Sequence, residues 1–241
     1  MKKLKLLAFP FAGASSMYYY KWKKHISDQI DFVPVKLAGR GARPRDPLYN
    51  TFDEAIEDVY KQIDSIIDDG PYAFFGHSMG SMLAFELSHK LREQQRHDPA
   101  MIFVSGRWAP HIQRPDLVNP STPDEQLKER LLELGGTSPE LFENPLLADA
   151  FIPILRADFY AMESYVYDSS REPLSTAIDA MTGVKDWDVN KRDFAEWGKH
   201  TTGEFSIHKF MGGHFYINDS FDTVIQHINR TLLSSVHEAR A

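Results

Sequence analysis

Short apolar runs alternate with longer amphipathic stretches along most of the chain. Continuous apolar character over four to six residues is typical of strands covered on both faces of a parallel sheet. The alternation therefore predicts βα units and an α/β fold with a mostly parallel sheet flanked by helices. The predicted strands are Leu4–Phe9, Phe32–Leu37, Tyr72–Phe75, Met101–Ser105, Ala177–Met181 and Phe205–Phe210. The predicted helices are Tyr18–Gln29, one beginning after Thr51, Ser81–Gln94, Asp193–His200 and Ser220–Leu233, with a tail from Ser234 to Ala241.

The helix after the second strand has the clearest signals. Thr51 is a suitable N-cap, and Glu54 three residues later completes a capping box. Apolar residues then recur at helical spacing and predict a buried face, formed by Ile56, Val59, Ile63 and Ile67. The closing helix has a similar inner face, formed by Val224, Ile225, Ile228 and Leu232.

Residues 108–173 interrupt the alternation. This stretch has no strand pattern, and it contains successive pairs of a capping residue followed by proline, each typical of a helix start. The pairs are Thr122-Pro123, with Glu125 completing a capping box, then Ser138-Pro139 and Asn144-Pro145. We interpret 108–173 as a helical lid inserted into a single domain that spans residues 1–241.

Composition narrows the function classes. The chain has 241 residues, 42% hydrophobic and 25% charged, which is ordinary for a globular protein. The absence of cysteine excludes disulfides, thiolate metal sites and a cysteine nucleophile, and it suits a reducing, cytoplasmic compartment. The net charge of −7 gives no sign of nucleic-acid binding, and no segment has the length of a membrane span. The first 16 residues resemble a secretory signal, but Lys5 and Pro10 interrupt the apolar stretch.

The strongest chemical signal is the pentapeptide Gly76–Gly80, which reads G-H-S-M-G between an apolar strand and a helix. This is the G-x-S-x-G pattern in the context of the nucleophile elbow of α/β-hydrolases. A sharp turn there would strain Ser78 and lift its hydroxyl above the sheet, and the helix N-terminus would point N–H groups at a reacting carbonyl. Ser78 is therefore the candidate nucleophile, the alternative being an inert serine in a βα turn.

A serine hydroxyl needs a general base. Of the ten histidines, His214 stands out because it follows the last predicted strand on a loop with Gly212 and Gly213. The α/β-hydrolase fold carries its histidine on a loop of this kind. His77 precedes the serine, but side chains of neighbouring residues in a tight turn diverge. We therefore expect His214 to share a proton with Ser78.

The acid of such a triad lies between serine and histidine in the chain, just after a strand. The strand Ala177–Met181 is followed by a loop with two candidates, Asp186 and Asp188, of which we favour Asp186. For either residue the alternative is a solvated turn carboxylate. The oxyanion hole requires two backbone N–H groups, which we assign to Met79 and, on the loop after the first strand, to Ala12.

These motifs together resemble the type II thioesterases that accompany nonribosomal peptide and polyketide synthases. The matching segments run from near residue 4 to near residue 233: Phe9–Gly13, Gly39–Gly41 with Arg43, Gly76–Gly80, Ser105–Arg107 with Ala109-Pro110, Leu134–Gly136 and Gly212–His214. The family pattern places the acid three residues after a glycine and before x-x-Val, which Gly183, Asp186 and Val189 fit and Asp188 does not. Departures are Ala38 for a common proline, Ser81 for a common third glycine, and an atypical acid loop.

The resemblance implies an enzyme that hydrolyses acyl groups from the phosphopantetheine thiol of acyl or peptidyl carrier proteins. Its catalytic residues would be Ser78, Asp186 and His214, and the lid would cover an acyl groove. We expect a monomer without bound metal or cofactor, because the phosphopantetheine arm arrives on the carrier, and no nucleic-acid or membrane partner. The rival functions are a carrier-independent serine esterase of the same fold, and an acyltransferase or cyclising thioesterase.

Two further features keep both a structural and a functional interpretation. The loop arginines Arg40, Arg43 and Arg45 could contact an acidic carrier or a phosphate, although a solvated loop is the preferred interpretation. Aromatic residues of the predicted lid could line the acyl groove or form the lid core: Phe142, Phe151, Phe159, Tyr160 and Tyr165.

Overall fold

A computed structural model describes residues 2–67, 70–112, 121–187, 189 and 191–238. Six strands form one fully parallel sheet in the order β2-β1-β3-β4-β5-β6. The strands are β1 (Leu4–Phe9), β2 (Ile30–Pro34), β3 (Tyr72–His77), β4 (Met101–Ser105), β5 (Ala177–Gly183) and β6 (Phe205–Phe210). The sheet confirms the predicted fold class.

The helices are α1 (Phe52–Asp64), α2 (Met79–Glu93), α3 (Asp124–Leu134), α4 (Pro139–Glu143), α5 (Pro145–Glu163), α6 (Lys191–Ala195), α7 (Tyr216–Asp219) and α8 (Phe221–Glu238). Two 3₁₀ segments, Ser16–Lys24 and Glu196–His200, complete the elements. One apolar layer packs α1 and α2 against the sheet, and the other face is covered by the first 3₁₀ segment and α8. Within the described residues, no helix combines the length and apolar character that a membrane crossing requires.

Strand bounds are as predicted for β1, β4 and β6, and β3 and β5 each continue two residues further. The second strand is the exception, because it spans Ile30–Pro34 instead of Phe32–Leu37. Pro34 has no N–H to continue the ladder, and two residues later the N–H of Lys36 donates to the side chain of Gln62 at 2.9 Å. The predicted helix Tyr18–Gln29 is also wrong, since a 3₁₀ helix occupies Ser16–Lys24.

The period of that 3₁₀ helix explains the difference. Tyr19 and Trp22 lie three residues apart and are both fully buried, as the three-residue turn of a 3₁₀ helix allows. At the other end of the chain, α8 continues to Glu238, so the predicted tail begins too early. Residues 239–241 lie outside the described part.

Helix caps follow the predictions only in part. The hydroxyl of Thr51 accepts a hydrogen bond from the N–H of Glu54 at 3.2 Å, as expected. The Glu54 carboxylate, however, accepts from the N–H of Asn50 at 2.7 Å, so the predicted box closes one residue earlier. The predicted inner faces of α1 and α8 are buried.

The helical segment α3–α5 occupies most of the region predicted to be a lid. Proline is the first residue of α4 and of α5, and the side chain of Asn144 caps α5 through the N–H of Leu146 at 3.1 Å. The N-cap predicted at Thr122 is off by one residue, because Pro123 is the N-cap of α3 and its side chain makes no capping hydrogen bond. A small apolar cluster, made by Leu127, Leu131 and Leu155, holds α3 against α5.

Candidate active site

Ser78 occupies a strained turn between β3 and α2. Its backbone angles are φ 53° and ψ −117°, a conformation that a non-glycine residue rarely adopts. The turn is tight enough to require glycine on both sides: a Cβ on Gly76 would lie 2.0 Å from the carbonyl oxygen of Gly80, and one on Gly80 would lie 2.2 Å from that of Phe9. The sequence thus builds the predicted elbow, with the candidate nucleophile at the N-terminus of α2.

Ser81 explains one departure from the family pattern. Its buried hydroxyl lies 2.9 Å from the carbonyl oxygens of Gly76 and Ser105, and it accepts the N–H of Ser105 at 2.9 Å. The N–H of Ser78 donates to the Ser105 carbonyl oxygen at 2.7 Å. A serine at position 81 therefore ties the elbow to β4, an interaction that glycine cannot make.

Asp186 and His214 meet beyond the carboxyl ends of β5 and β6. The Nδ1 atom of His214 lies 3.1 Å from Oδ2 of Asp186, and the Asp186 side chain has no exposed surface. A buried carboxylate in this position fixes the orientation of the imidazole and can stabilise its protonated form. The structure thus brings together the two residues that the sequence suggested as acid and base. Asp188, the alternative acid, lies outside the described residues.

The loops that carry these two residues are joined by their backbones. The N–H of Lys185 donates to the Gly212 carbonyl oxygen at 2.9 Å, and that of Val184 donates to the Phe210 carbonyl oxygen at 2.8 Å. A Cβ on Gly183 would lie 2.2 Å from the Gly213 carbonyl oxygen, so this close approach requires glycine there. This packing supplies a physical reason for a glycine three residues before the acid.

The expected hydrogen bond between Ser78 and His214 is absent from the described contacts. The imidazole of His214 nevertheless lies beside the elbow, with its ring centroid 5.0 Å from that of His77, the residue before the serine. Catalytic hydrogen bonds are often long or misaligned in ligand-free enzymes and shorten when substrate binds. The missing hydrogen bond therefore does not by itself exclude His214 as the base for Ser78.

His77 has a larger part in the site than its sequence position indicated. Its Nδ1 atom lies 2.8 Å from the hydroxyl of Ser105, which lies 2.6 Å from that of Tyr216. Burial, and secondarily the nearby His214, hold the pKa of His77 well below its usual value. His77 thus stays neutral beside His214. No sequence pattern indicates the Ser105–Tyr216 contact, which joins residues 111 positions apart.

The loop Phe9–Gly13 lies beside the elbow because β1 and β3 are paired in parallel, with Phe9 opposite Gly76. Among the described residues, the N–H of Ala12 donates no hydrogen bond. The first N–H groups of α2, that of Met79 included, have no partner within their own helix. Both groups suggested for an oxyanion hole thus belong to segments that meet at the elbow.

The helical segment α3–α5 contacts both loops of the site. A Cβ on Gly136, just after α3, would lie 2.1 Å from the ring of Phe215, the residue after His214. On the other side, a Cβ on Gly13 would lie 2.7 Å from the ring of Phe151 in α5. The segment therefore packs against the loop that carries His214 and against the loop that carries Ala12.

One buried ion pair holds α5 in place beside the site. Arg40 and Asp158, with side chains 2% and 1% exposed, form a two-pronged salt bridge. Asp158 also accepts the N–H of Gly13 at 2.7 Å, so one carboxylate of α5 holds the loop beside Ala12. Arg40 is therefore neither solvated nor free to contact a carrier or a phosphate, as the two interpretations of the arginine cluster had it. It is buried and paired with Asp158, 118 positions away in the sequence.

The other two arginines of the loop are less buried than Arg40. Arg43 pairs with Asp46 and Asp58, and Arg45 is exposed.

The aromatic residues of the predicted lid differ in how they are packed. Phe142, Phe151 and Phe159 pack against the small cluster of α3 and α5, whereas Tyr160 is 54% exposed. Tyr165 packs against the main core and donates to Glu86 at 2.7 Å. Three of the five aromatics are thus packing residues of the helical segment.

Comparisons with known proteins agree with this geometry. The chain is 37% identical over 218 residues to the medium-chain S-acyl fatty acid synthase thioesterase of Rattus norvegicus, covering 88% of this chain and 81% of the rat protein. The crystal structure of ClbQ from the colibactin NRPS/PKS pathway superposes with a TM-score of 0.91 at 33% identity, covering 97% of this chain and 98% of ClbQ.

The type II thioesterase BorB of the borrelidin biosynthetic cluster is similar as well. Its TM-score is 0.85 at 30% identity, and the match covers 95% of this chain and 92% of BorB. The family model of the thioesterase domain matches residues 4–232. With its elbow serine, paired histidine and aspartate, and nearly full-length match, the chain belongs to the thioesterase family of the α/β-hydrolase fold, whose members hydrolyse thioesters.

Proposed function

We propose that this protein removes acyl groups from the phosphopantetheine thiol of acyl or peptidyl carrier proteins in a nonribosomal peptide or polyketide synthase. The observation that carries the proposal is the buried Asp186–His214 pair beside a strained elbow serine, in a chain similar over 95% of its length to a type II thioesterase. The name of ClbQ places that protein in an NRPS/PKS pathway, and the name of BorB describes a type II thioesterase of a biosynthetic cluster.

The mechanism follows from the proposed roles of the site residues. His214 takes the proton of Ser78 as the serine oxygen attacks the thioester carbonyl, and Asp186 stabilises the resulting imidazolium. The N–H groups of Met79 and Ala12 stabilise the oxyanion, each contributing about 3–4 kcal/mol to the transition state. The thiol leaves with a proton from His214, and water activated by His214 then hydrolyses the acyl-serine.

The neutral state of His77 supports this division of labour. Because burial keeps the pKa of His77 low, the proton from Ser78 is accepted by His214 rather than shared between two adjacent imidazoles. No resident cofactor takes part in these steps, since the phosphopantetheine arm belongs to the carrier. A monomeric, cytoplasmic enzyme remains our expectation.

The test compares one acyl group on three supports: a carrier protein, free pantetheine and a simple alcohol. We expect the highest kcat/KM on the loaded carrier. Equal rates on carrier and pantetheine would contradict carrier recognition, and a preference for the alcohol ester would indicate a carrier-independent esterase. Mass analysis of the products identifies an acyltransferase or a cyclising enzyme, because only hydrolysis releases the free acid.

A further inference from the structure

A second histidine–aspartate cluster lies within the sheet body. Asp179 of β5, His208 of β6 and His227 of α8 place one donor atom each within 4.8 Å of one another. Nδ1 of His208 lies 2.9 Å from Oδ1 of Asp179, and Nε2 of His227 lies 2.7 Å from Oδ2. Asp179 precedes Gly183 at the carboxyl end of β5 by four residues, about 13 Å along the strand, so the cluster is separate from the candidate active site.

The charge of Asp179 needs compensation. The residue is only 1% exposed, and within the described ranges no lysine or arginine forms an ion pair with it. A buried carboxylate without a cationic partner is costly. Both of its oxygens instead face imidazole nitrogens, and the two rings lie 3.9 Å apart.

These residues form a suitable donor set for a transition metal. Two imidazoles and one carboxylate are common ligands of Zn²⁺, and three protein ligands leave a position for water. Each donor comes from a different packed element, so the cluster is held in place before any ion arrives. The ion would be bound through the ring nitrogens that now face Asp179, Nδ1 of His208 and Nε2 of His227, which must carry no proton when they coordinate it.

A route for the ion is present. His208 is 39% exposed, and both histidines line a cavity of about 610 Å³ at the surface. Lys209 and Arg230 line the same cavity. Because Mg²⁺ and Ca²⁺ prefer oxygen ligands, a site with two imidazoles and one carboxylate suits an imidazole-binding metal better.

We propose that Asp179, His208 and His227 bind one divalent transition-metal ion, with Zn²⁺ as the probe, at a structural site that joins β5, β6 and α8. The ion would replace the hydrogen bonds of the cluster with coordination bonds and would neutralise Asp179. The proposal does not depend on the hydrolytic mechanism.

The test uses the full chain without a histidine tag, stripped with a chelator and titrated with Zn²⁺ by calorimetry. We expect one ion per chain and a higher Tm with Zn²⁺ present. His208→Gln, chosen because the residue is partly exposed and the variant should fold, should weaken binding about tenfold or more. It should also abolish the rise in Tm, and visible spectra of the Co²⁺-loaded protein should change in parallel.

His111→Gln is the matched control. His111 belongs to another imidazole cluster, in which its ring nitrogens lie 2.7 Å from His200 and 3.2 Å from Glu196. Zn²⁺ bound adventitiously by that cluster would be lost in His111→Gln. Its Zn²⁺ affinity should equal that of the wild type. No stoichiometric binding by the wild type, unchanged binding by His208→Gln, or loss in His111→Gln alone would overturn the proposal and leave a hydrogen-bonded triad only.

Discussion

The sheet and the helical segment α3–α5 hold their residues in different ways. Every residue of β3 is buried, as are twelve residues of α2. By contrast, α4 has no buried residue, α3 has two and α5 has four, and Leu146 at the start of α5 is 79% exposed. The candidate catalytic groups thus belong to the well-packed region, while α3–α5 is held by a small cluster, the Arg40–Asp158 pair and the end of α5, where Ala161 and Met162 join the main core.

The candidate catalytic groups and the helical segment beside them thus belong to regions of unequal packing. Elements with few buried apolar contacts open locally at lower free-energy cost than a core strand. Substitutions of the candidate catalytic side chains should therefore abolish turnover without changing the fold. Substitutions that loosen α3–α5 should change hydrogen exchange and turnover together.

The largest effect is expected for Ser78→Ala. Removing the nucleophile should lower kcat for carrier-thioester hydrolysis by about 10⁴-fold or more, because the remaining groups only bind and polarise the substrate. Circular dichroism and Tm should stay near those of the wild type, since Ser78 contributes little packing. A rate within tenfold of the wild type would exclude Ser78 as the nucleophile.

Next in size is Asp186→Asn, with an expected loss of about 10³- to 10⁴-fold in kcat. Asparagine nearly preserves the shape but cannot stabilise the His214 imidazolium. Asp188→Asn is the matched control, two positions away in the sequence, and should keep most activity. A greater loss in that control would transfer the acid role to Asp188.

Asp158→Asn should have an intermediate effect on rate. The asparagine can still accept the N–H of Gly13, but Arg40 is left as a buried, unpaired charge. Small displacement of the loop beside Ala12 should reduce kcat/KM by about 10- to 100-fold. Hydrogen exchange should accelerate in α5 and in residues 9–13, but not in β3.

The matched control for that variant is Asp149→Asn, at an exposed position of the same helix. It should leave both exchange and turnover unchanged. Equal rates of hydrogen exchange in Asp158→Asn and wild type would mean that the Arg40–Asp158 ion pair does not stabilise the packing of α3–α5.

The smallest effect concerns acid stability. Burial, then the neighbouring His111, lower the pKa of His200 to about 4. At pH values above the usual imidazole pKa of about 6.5, the His200 side chain is neutral in both the folded and the unfolded chain, so it does not change the free energy of unfolding. As the pH falls from about 6.5 to 4, the unfolded chain binds a proton that the folded chain does not, so stability decreases.

His200→Gln should therefore flatten the fall of unfolding free energy with pH between about 6.5 and 4, as measured by urea titrations. The helical segment α3–α5 contains no histidine, so this acid sensitivity belongs to the sheet region. An unchanged slope in the variant would show that His200 is not the source.

Local signals were sufficient for much of this molecule. Apolar runs predicted β1, β4 and β6 with correct bounds, and the elbow could be located from Gly76–Gly80 because close backbone contacts leave only glycine at its ends. The 3₁₀ helix Ser16–Lys24 was missed because its spacing of buried aromatics resembles that of an α-helix over so few turns.

Long-range pairs were beyond sequence reasoning. The Arg40–Asp158 bridge, the contact of Ser105 with Tyr216 and the cluster around Asp179 join residues from distant elements. A single sequence contains no spacing rule for such pairs, since the fold alone brings them together. Asp186 could be suggested only because the order of serine, acid and histidine limits where the acid can lie.

The central claim is tested most directly by trapping the acyl-enzyme. The wild type, Ser78→Ala and Asp186→Asn would each be mixed with an acyl-loaded carrier protein, quenched within a turnover, and digested for peptide mass mapping. The acyl mass should appear on the peptide containing Ser78 in wild type and Asp186→Asn, and on no peptide in Ser78→Ala. An acyl group on another residue, or hydrolysis by Ser78→Ala at the wild-type rate, would contradict the central claim.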